Sequence, residues 1–262
     1  MARLGIMMQS ASWMLGRLAV VAAFLVMWEV SVQLNWIDRF FFSSPTEIYR
    51  ILQEWWRVGI ILPNLGLTLS EAALGYLLGV TLGTMLGFVF AFMPRIATVF
   101  DPIMVVLNSF PRLTLAPLFI VWFGFGMTPK VVLVAAFIIF ICFFNTYRGL
   151  REVDTELLDR ARLWGASRWA LTRHIYLPAA ISWIITGLRA SVGFALIGAV
   201  VGEYIGGDSG IGFLIMQGQH RLRMREVLAG LALLLVIAFF IDLALRRIEA
   251  RSLRWQPAAA RR

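Results

Sequence analysis

An arginine in the middle of an apolar run is the first residue in this sequence that asks for a chemical explanation. Arg112 follows Asn108-Ser109-Phe110-Pro111 inside the stretch from Ile103 to Phe123. A charged side chain in hydrocarbon is costly, so its default meaning is functional. Pro111 frees a backbone carbonyl, which is tolerable beside a cavity. Arg112 could therefore line a path for an anion, with Asn108 and Ser109 as neutral partners. The competing reading is an arginine that snorkels or forms a structural ion pair. Glu203, just before Gly206-Gly207, fits a gate residue or a structural pair with Arg189 or Arg112. Asn145 and Thr146 fit either substrate contact or helix capping. Asp242 lies four residues before Arg246, and a helical i,i+4 pair accounts for it.

Other chemistries lack their residues. The single cysteine, Cys142, lies in an apolar run and has no disulfide partner. One cysteine with two histidines, His174 and His220, makes no zinc pattern, and no Ser-His-Asp or Cys-His set accompanies them. A Walker A loop needs a lysine for the phosphates. The only lysine, Lys130, is preceded by Thr128-Pro129 and followed by Val131, so no such loop exists in the chain.

These residues must be held by elements that live in lipid. The chain is 60% apolar and 15% charged over 262 residues, with a mean hydropathy of +0.80. A soluble domain of this length needs more polar surface. The net charge of +9 comes from arginines set between long apolar runs, so it reads as a membrane topology signal and not as a nucleic-acid face. A helix needs roughly 20 apolar residues to cross a bilayer. Six candidates are expected: 17–33, 65–92, 103–123 (interrupted by Pro111 and Pro117), 131–147, 179–201 and 227–245. The reading is an all-α integral membrane protein, residues 1–262 forming one transmembrane domain. With both termini cytoplasmic, 15 arginines fall on the inside segments, against seven cationic residues outside, Lys130 among the latter.

Four segments have further patterns. Gly75, Gly79, Gly83 and Gly87 recur every four residues and share one helix face, which allows close helix–helix approach. The polar stretch 150–178 reads as a helix–turn–helix. Carboxylates crowd its start, Gly165-Ala166 breaks it, and Ser167 caps a second helix, Arg168 to Tyr176. Pro178 is expected to end that helix and begin the fifth span. On the other side, the glycine-rich segment from Gly206 to Gly212 fits a flexible gate. Pro45 to Arg57 is amphipathic and suits the outer interface.

The loop resembles the EAA loop of bacterial ABC importer permeases. The residues that carry this are Asp159-Arg160-Ala161, then Gly165, then Ile175-Tyr176-Leu177-Pro178. Asp159 stands where the family has Glu, and Arg160 stands at a usually small position. Ser44-Pro45-Thr46, Asp101-Pro102, Ala116-Pro117-Leu118, Trp122 to Gly126 and Ser209-Gly210-Ile211-Gly212 extend the likeness. It is closest to the nitrate/sulfonate/taurine permeases. The resemblance implies a homodimeric pore in the bacterial inner membrane. It also implies two cytoplasmic ATPase subunits that hold ATP and Mg, and a periplasmic solute-binding protein; no cofactor is expected in this chain. Asp159, Arg160, Ala161, Arg162, Gly165, Ala166, Ser167, Arg168, Ile175, Leu177 and Pro178 would form the ATPase-coupling element. The solute implied is a small anion such as a sulfonate, taurine, nitrate or an aromatic carboxylate. The rivals are an ATP-independent secondary transporter or channel, for which no internal repeat is present, and a membrane enzyme, for which no catalytic set is present.

Overall fold

The computed structural model describes residues 2–252. Among these the ordered elements are all helical. They are α1 (Ala2–Gln33), α2 (Arg39–Phe42), α3 (Pro45–Arg57), α4 (Ile61–Phe92), α5 (Pro94–Ser109), a 3-10 turn (Arg112–Leu115), α6 (Ala116–Phe123) and α7 (Met127–Arg151). Then follow α8 (Thr155–Leu163), α9 (Arg168–Leu171), a π turn (Thr172–Tyr176), α10 (Leu177–Gly206), α11 (Ile211–His220) and α12 (Met224–Ser252). Of the arginines used for orientation, Arg254, Arg261 and Arg262 lie outside the described residues, as do the side chains of Arg3, Arg246 and Arg251.

Among the described residues, four helices are long and apolar enough to cross a membrane: Ile61–Phe92, Met127–Arg151, Arg168–Gly206 and Met224–Leu245. A fifth span arises if Pro94–Ser109 and Arg112–Phe123, which meet at 85°, count as one broken crossing. Pro111 sits at that break. It cannot donate a backbone N–H, and it restricts Phe110 to extended geometry (ψ 134°). The first expected span appears as the shorter apolar helix Ala19–Gln33.

The chain divides into two compact units. The first comprises Met1–Ile61 and Leu214–Leu235. Its ordering centres on α3, where Ser44 accepts from the Glu47 N–H and Pro45 occupies the first turn. Ile48, Ile51 and Trp55 then fall on one face and bury against Ile61 and Ala229. Arg39 pairs with Glu47 at 2.5 Å and holds that carboxyl below its usual range.

The second unit comprises Leu62–Phe213 and Val236–Arg262. Its centre is α7. Leu133, Val134, Phe137, Ile138 and Cys142 pack with Ala72 of α4, Ala116 and Phe119 of α6, and Ala195 and Ala199 of α10. The glycine face of α4 explains the closeness. A Cβ on Gly79 would fall 2.7 Å from Ile138 Cβ, and one on Gly87 would fall 2.7 Å from Thr146 Cβ. Gly75 and Gly83 press equally on Val134 and on the backbone of Ile139. In lipid, where burying apolar surface gains little, such backbone proximity is a main source of helix association.

One expectation about the second unit is corrected. Pro178 does not end a helix: the chain runs as one continuous helical stretch from Arg168 to Gly206. The π turn lets the Leu177 N–H reach back to the Thr172 carbonyl and opens the helix just before the proline. The missing N–H is thus accommodated without a break.

Candidate functional site: a polar knob, a bent helix pair and a buried charge cluster

The stretch between α7 and α10 forms a compact knob whose geometry is set by local chemistry. Asp154 caps α8 by accepting from the Glu156 N–H at 2.8 Å. The far end of α8 closes in a Schellman motif. The Gly165 N–H reaches Arg162 O at 2.9 Å, and the Ala166 N–H reaches Ala161 O at 3.0 Å. Gly165 has φ +81° and no neighbour that a Cβ would meet, so it serves backbone conformation and not close approach. Ser167 then caps α9 by accepting from the Ala170 N–H at 3.2 Å. Only Ala166 separates the glycine that ends one helix from the serine that starts the next.

Leu158 and Leu171 anchor the knob inward, while Leu163, Trp164 and Trp169 are largely exposed. Asp159 pairs with Arg162 at 2.9 Å, and Arg160 pairs with Glu156. Arg160 therefore lies along its own helix and occupies no packed position. Arg168 and Leu177 are exposed, Ile175 is half-buried, and the neighbouring Tyr176 ring meets Phe92 edge-on at 5.7 Å.

At the bend between α5 and α6, Arg112 donates to the Asn108 carbonyl at 2.9 Å and to the Asn108 side-chain oxygen. Its guanidinium lies over the Phe140 ring at 5.0 Å. Its Nε is buried without a hydrogen-bond partner. Ser109 returns its hydroxyl to Val105 O. Arg112 and Asn108 are thus brought together as expected, but Asn145 and Thr146 are not part of the same group. Asn145 donates to Ile141 O and packs on Gly187. Thr146 is fully buried against Gly87.

The structure assembles a third region whose pairing the sequence pattern does not reveal. Lys130, expected in a loop, lies in the first turn of α7, 3% exposed, and its Nζ donates to Glu71 Oε1 of α4 at 2.8 Å. Glu203 is fully buried beside this pair. Its Oε1 accepts from the Thr68 hydroxyl at 2.6 Å, and its Oε2 accepts from the Gly212 N–H at 2.7 Å. Arg112, one of its expected partners, bonds Asn108 instead. Glu71 does carry a signal in the sequence: an acid inside an apolar run is itself a functional candidate. The Asp242–Arg246 pairing falls on a side chain outside the described residues.

A helical membrane protein with a polar knob between two long apolar helices has the form of a transport subunit. The comparisons with known proteins agree. Residues 75–254 match the family of binding-protein-dependent transport system inner membrane components, and the chain belongs to that family. It is 33% identical over 244 residues to the putative aliphatic sulfonates transport permease protein SsuC of Bacillus subtilis, covering 93% of this chain and 88% of that one. It is 27% identical over 243 residues to the taurine transport system permease protein TauC of Escherichia coli, covering 91% and 88%. In fold it is similar to the inward-facing MetNI methionine ABC transporter, with a TM-score of 0.57 and 20% identity over 74% of this chain and 94% of that one. The chain is the multi-pass permease subunit of an ABC importer.

Proposed function

We propose that the knob Thr155–Leu171 is the element through which a separate cytoplasmic ATPase, carrying ATP and Mg, drives this permease. The observation that supports this is mechanical. The capped knob leads without a break into the helical stretch Arg168–Gly206. A push on exposed Trp169 is therefore delivered along a helix, and one on Leu163 and Trp164 reaches it through the hydrogen-bonded Gly165–Ser167 turn; alternating access needs such a rigid element acting on a two-state bundle. On this reading the knob and both termini face the cytoplasm of a bacterial inner membrane, and the shorter Ala19–Gln33 helix and the broken pair complete six crossings. A second copy completes the pore, and a periplasmic solute-binding protein feeds it.

The substrate class follows from the relatives and from one side chain. The named relatives carry sulfonates and taurine, and Arg112 keeps a buried N–H without a partner beside an exposed Asn108. We assign Arg112, with Asn108 and Ser109, to the path of a small sulfonate-type anion.

The test is uptake of an alkanesulfonate into proteoliposomes holding the permease, its ATPase and its binding protein. ATP-dependent uptake is expected. Arg112→Ala should lower it roughly tenfold, the scale of one lost charge-assisted hydrogen bond. Equal uptake by variant and wild type removes Arg112 from the path, and uptake that needs no ATPase removes the importer reading altogether.

A further inference from the structure

Helix α11 opens with the N–H groups of Gly210, Ile211 and Gly212, which a helix start leaves without intrahelical partners. All three are taken by side chains of other helices. Gly210 donates to Asn64 Oδ1 at 2.6 Å, Ile211 donates to Thr68 Oγ1 at 3.0 Å, and Gly212 donates to Glu203 Oε2 at 2.7 Å. Thr68 links the set, because it accepts from Ile211 while its own proton points to Glu203 Oε1 at 2.6 Å. Its alternative acceptor, Asn64 O, is farther at 3.0 Å.

The negative charge is also suited to its place. A carboxylate at a helix N-terminus is favoured by the backbone dipoles. The Lys130–Glu71 pair lies alongside, and Asp208, exposed and hydrogen-bonded by Ser209, is the remaining carboxylate near the group. Gly210 (φ +105°) leaves the room that the Glu203 carboxyl occupies, and Gly212 lets the turn lie against the Val200 carbonyl and the Glu203 Cβ. The glycine-rich run is therefore a tightly held turn. It begins where the long helix from the knob stops: Glu203 lies one turn before Gly206, the end of the Arg168–Gly206 stretch.

We propose that Thr68 and Glu203 are positioning residues for transport, latching Gly207–Gly212 to α4 and α10 so that motion arriving along the knob helix moves this turn as one piece. A flexible loop at that point would dissipate the motion, whereas a turn whose last three N–H groups are bonded to α4 and α10 transmits it. The transport arm of this inference rests on the importer reading above; the latch itself does not.

The experiment uses the assembled transporter and reads two things: deuterium exchange of the amides at 210–212, and sulfonate taken up per ATP hydrolysed. Thr68→Val keeps the volume and removes the shared hydroxyl. It should speed exchange of these amides roughly tenfold and lower uptake per ATP several-fold while hydrolysis continues. Thr68→Ser should restore both. Unchanged exchange in Thr68→Val overturns the latch; faster exchange with unchanged uptake per ATP overturns its role in transport. If Thr68→Val fails to assemble, Glu203→Leu takes its place and is read by the same two measurements, because it removes both acceptor oxygens, the one that meets Thr68 and the one that meets Gly212. An importer that shows no ATP-dependent uptake even as wild type refutes the transport reading and leaves the exchange result standing.

Discussion

At one end of the α4–α7–α10 bundle, Glu71, Lys130 and Glu203 are at most 3% exposed and bond across helices. At the other end, Glu156, Asp159, Arg160 and Arg162 are each more than half exposed and pair only along their own helix. Both ends pair acids with bases, but the energetics differ. A buried charge without its partner is penalised by several kcal/mol, whereas an exposed i,i+4 pair contributes only tenths. The first end is built to hold one arrangement. The second keeps its apolar tip, Leu163, Trp164 and Trp169, free for a partner.

The contrast is broken most directly at Lys130. Lys130→Met leaves Glu71 as an unpaired buried carboxylate, and thermal unfolding in detergent should show a loss of about 3–5 kcal/mol. The double variant Lys130→Met/Glu71→Met should recover most of it. A single variant as stable as wild type would mean that the pair is not buried in the assembled protein.

Between the two ends, Gly83→Leu drives a side chain into the Ile139 backbone and Cys142. It should cost about 1–3 kcal/mol by the same measurement. A smaller loss would show that α4 and α7 separate more readily than their contact implies.

Gly165 separates stability from work. Gly165→Ala forces a left-handed backbone on a residue with a Cβ, costing about 1–2 kcal/mol, and Gly165→Trp adds bulk at the knob surface. Membrane insertion should persist in both, while ATP-driven uptake should be lost in Gly165→Trp. Unchanged uptake would show that the knob is not the coupling element.

The smallest effect belongs to Arg160. Its partner is Glu156 on the same exposed face, so Arg160→Ala should change stability by under about 0.5 kcal/mol. A pulldown with the ATPase sharpens the point: weaker capture at unchanged stability would show that Arg160 adapts the knob to its partner.

Much of the molecule is legible in its sequence, and for a consistent reason. The knob is built from contacts a few residues apart: Asp154 and Ser167 as caps, Gly165 as the left-handed residue that closes α8. The glycine face of α4 is equally plain, because a four-residue repeat fixes a helix face. Pro178 shows the limit of local rules. Proline usually interrupts a helix, yet a wider π turn before it keeps this one continuous.

The charge cluster is hidden by distance along the chain. Lys130 and Glu71 are 59 residues apart, and Thr68 and Glu203 are 135 apart. Nothing in the neighbourhood of Lys130 distinguishes a loop cation from a buried one. Hydropathy, helical period and capping chemistry determine from the sequence alone that this chain is a helical membrane protein with a rigid knob. Only the tertiary structure decides which charges are buried and what each one holds, because pairing across helices depends on how those helices pack, and glycines on both α4 and α10 set how closely each approaches α7.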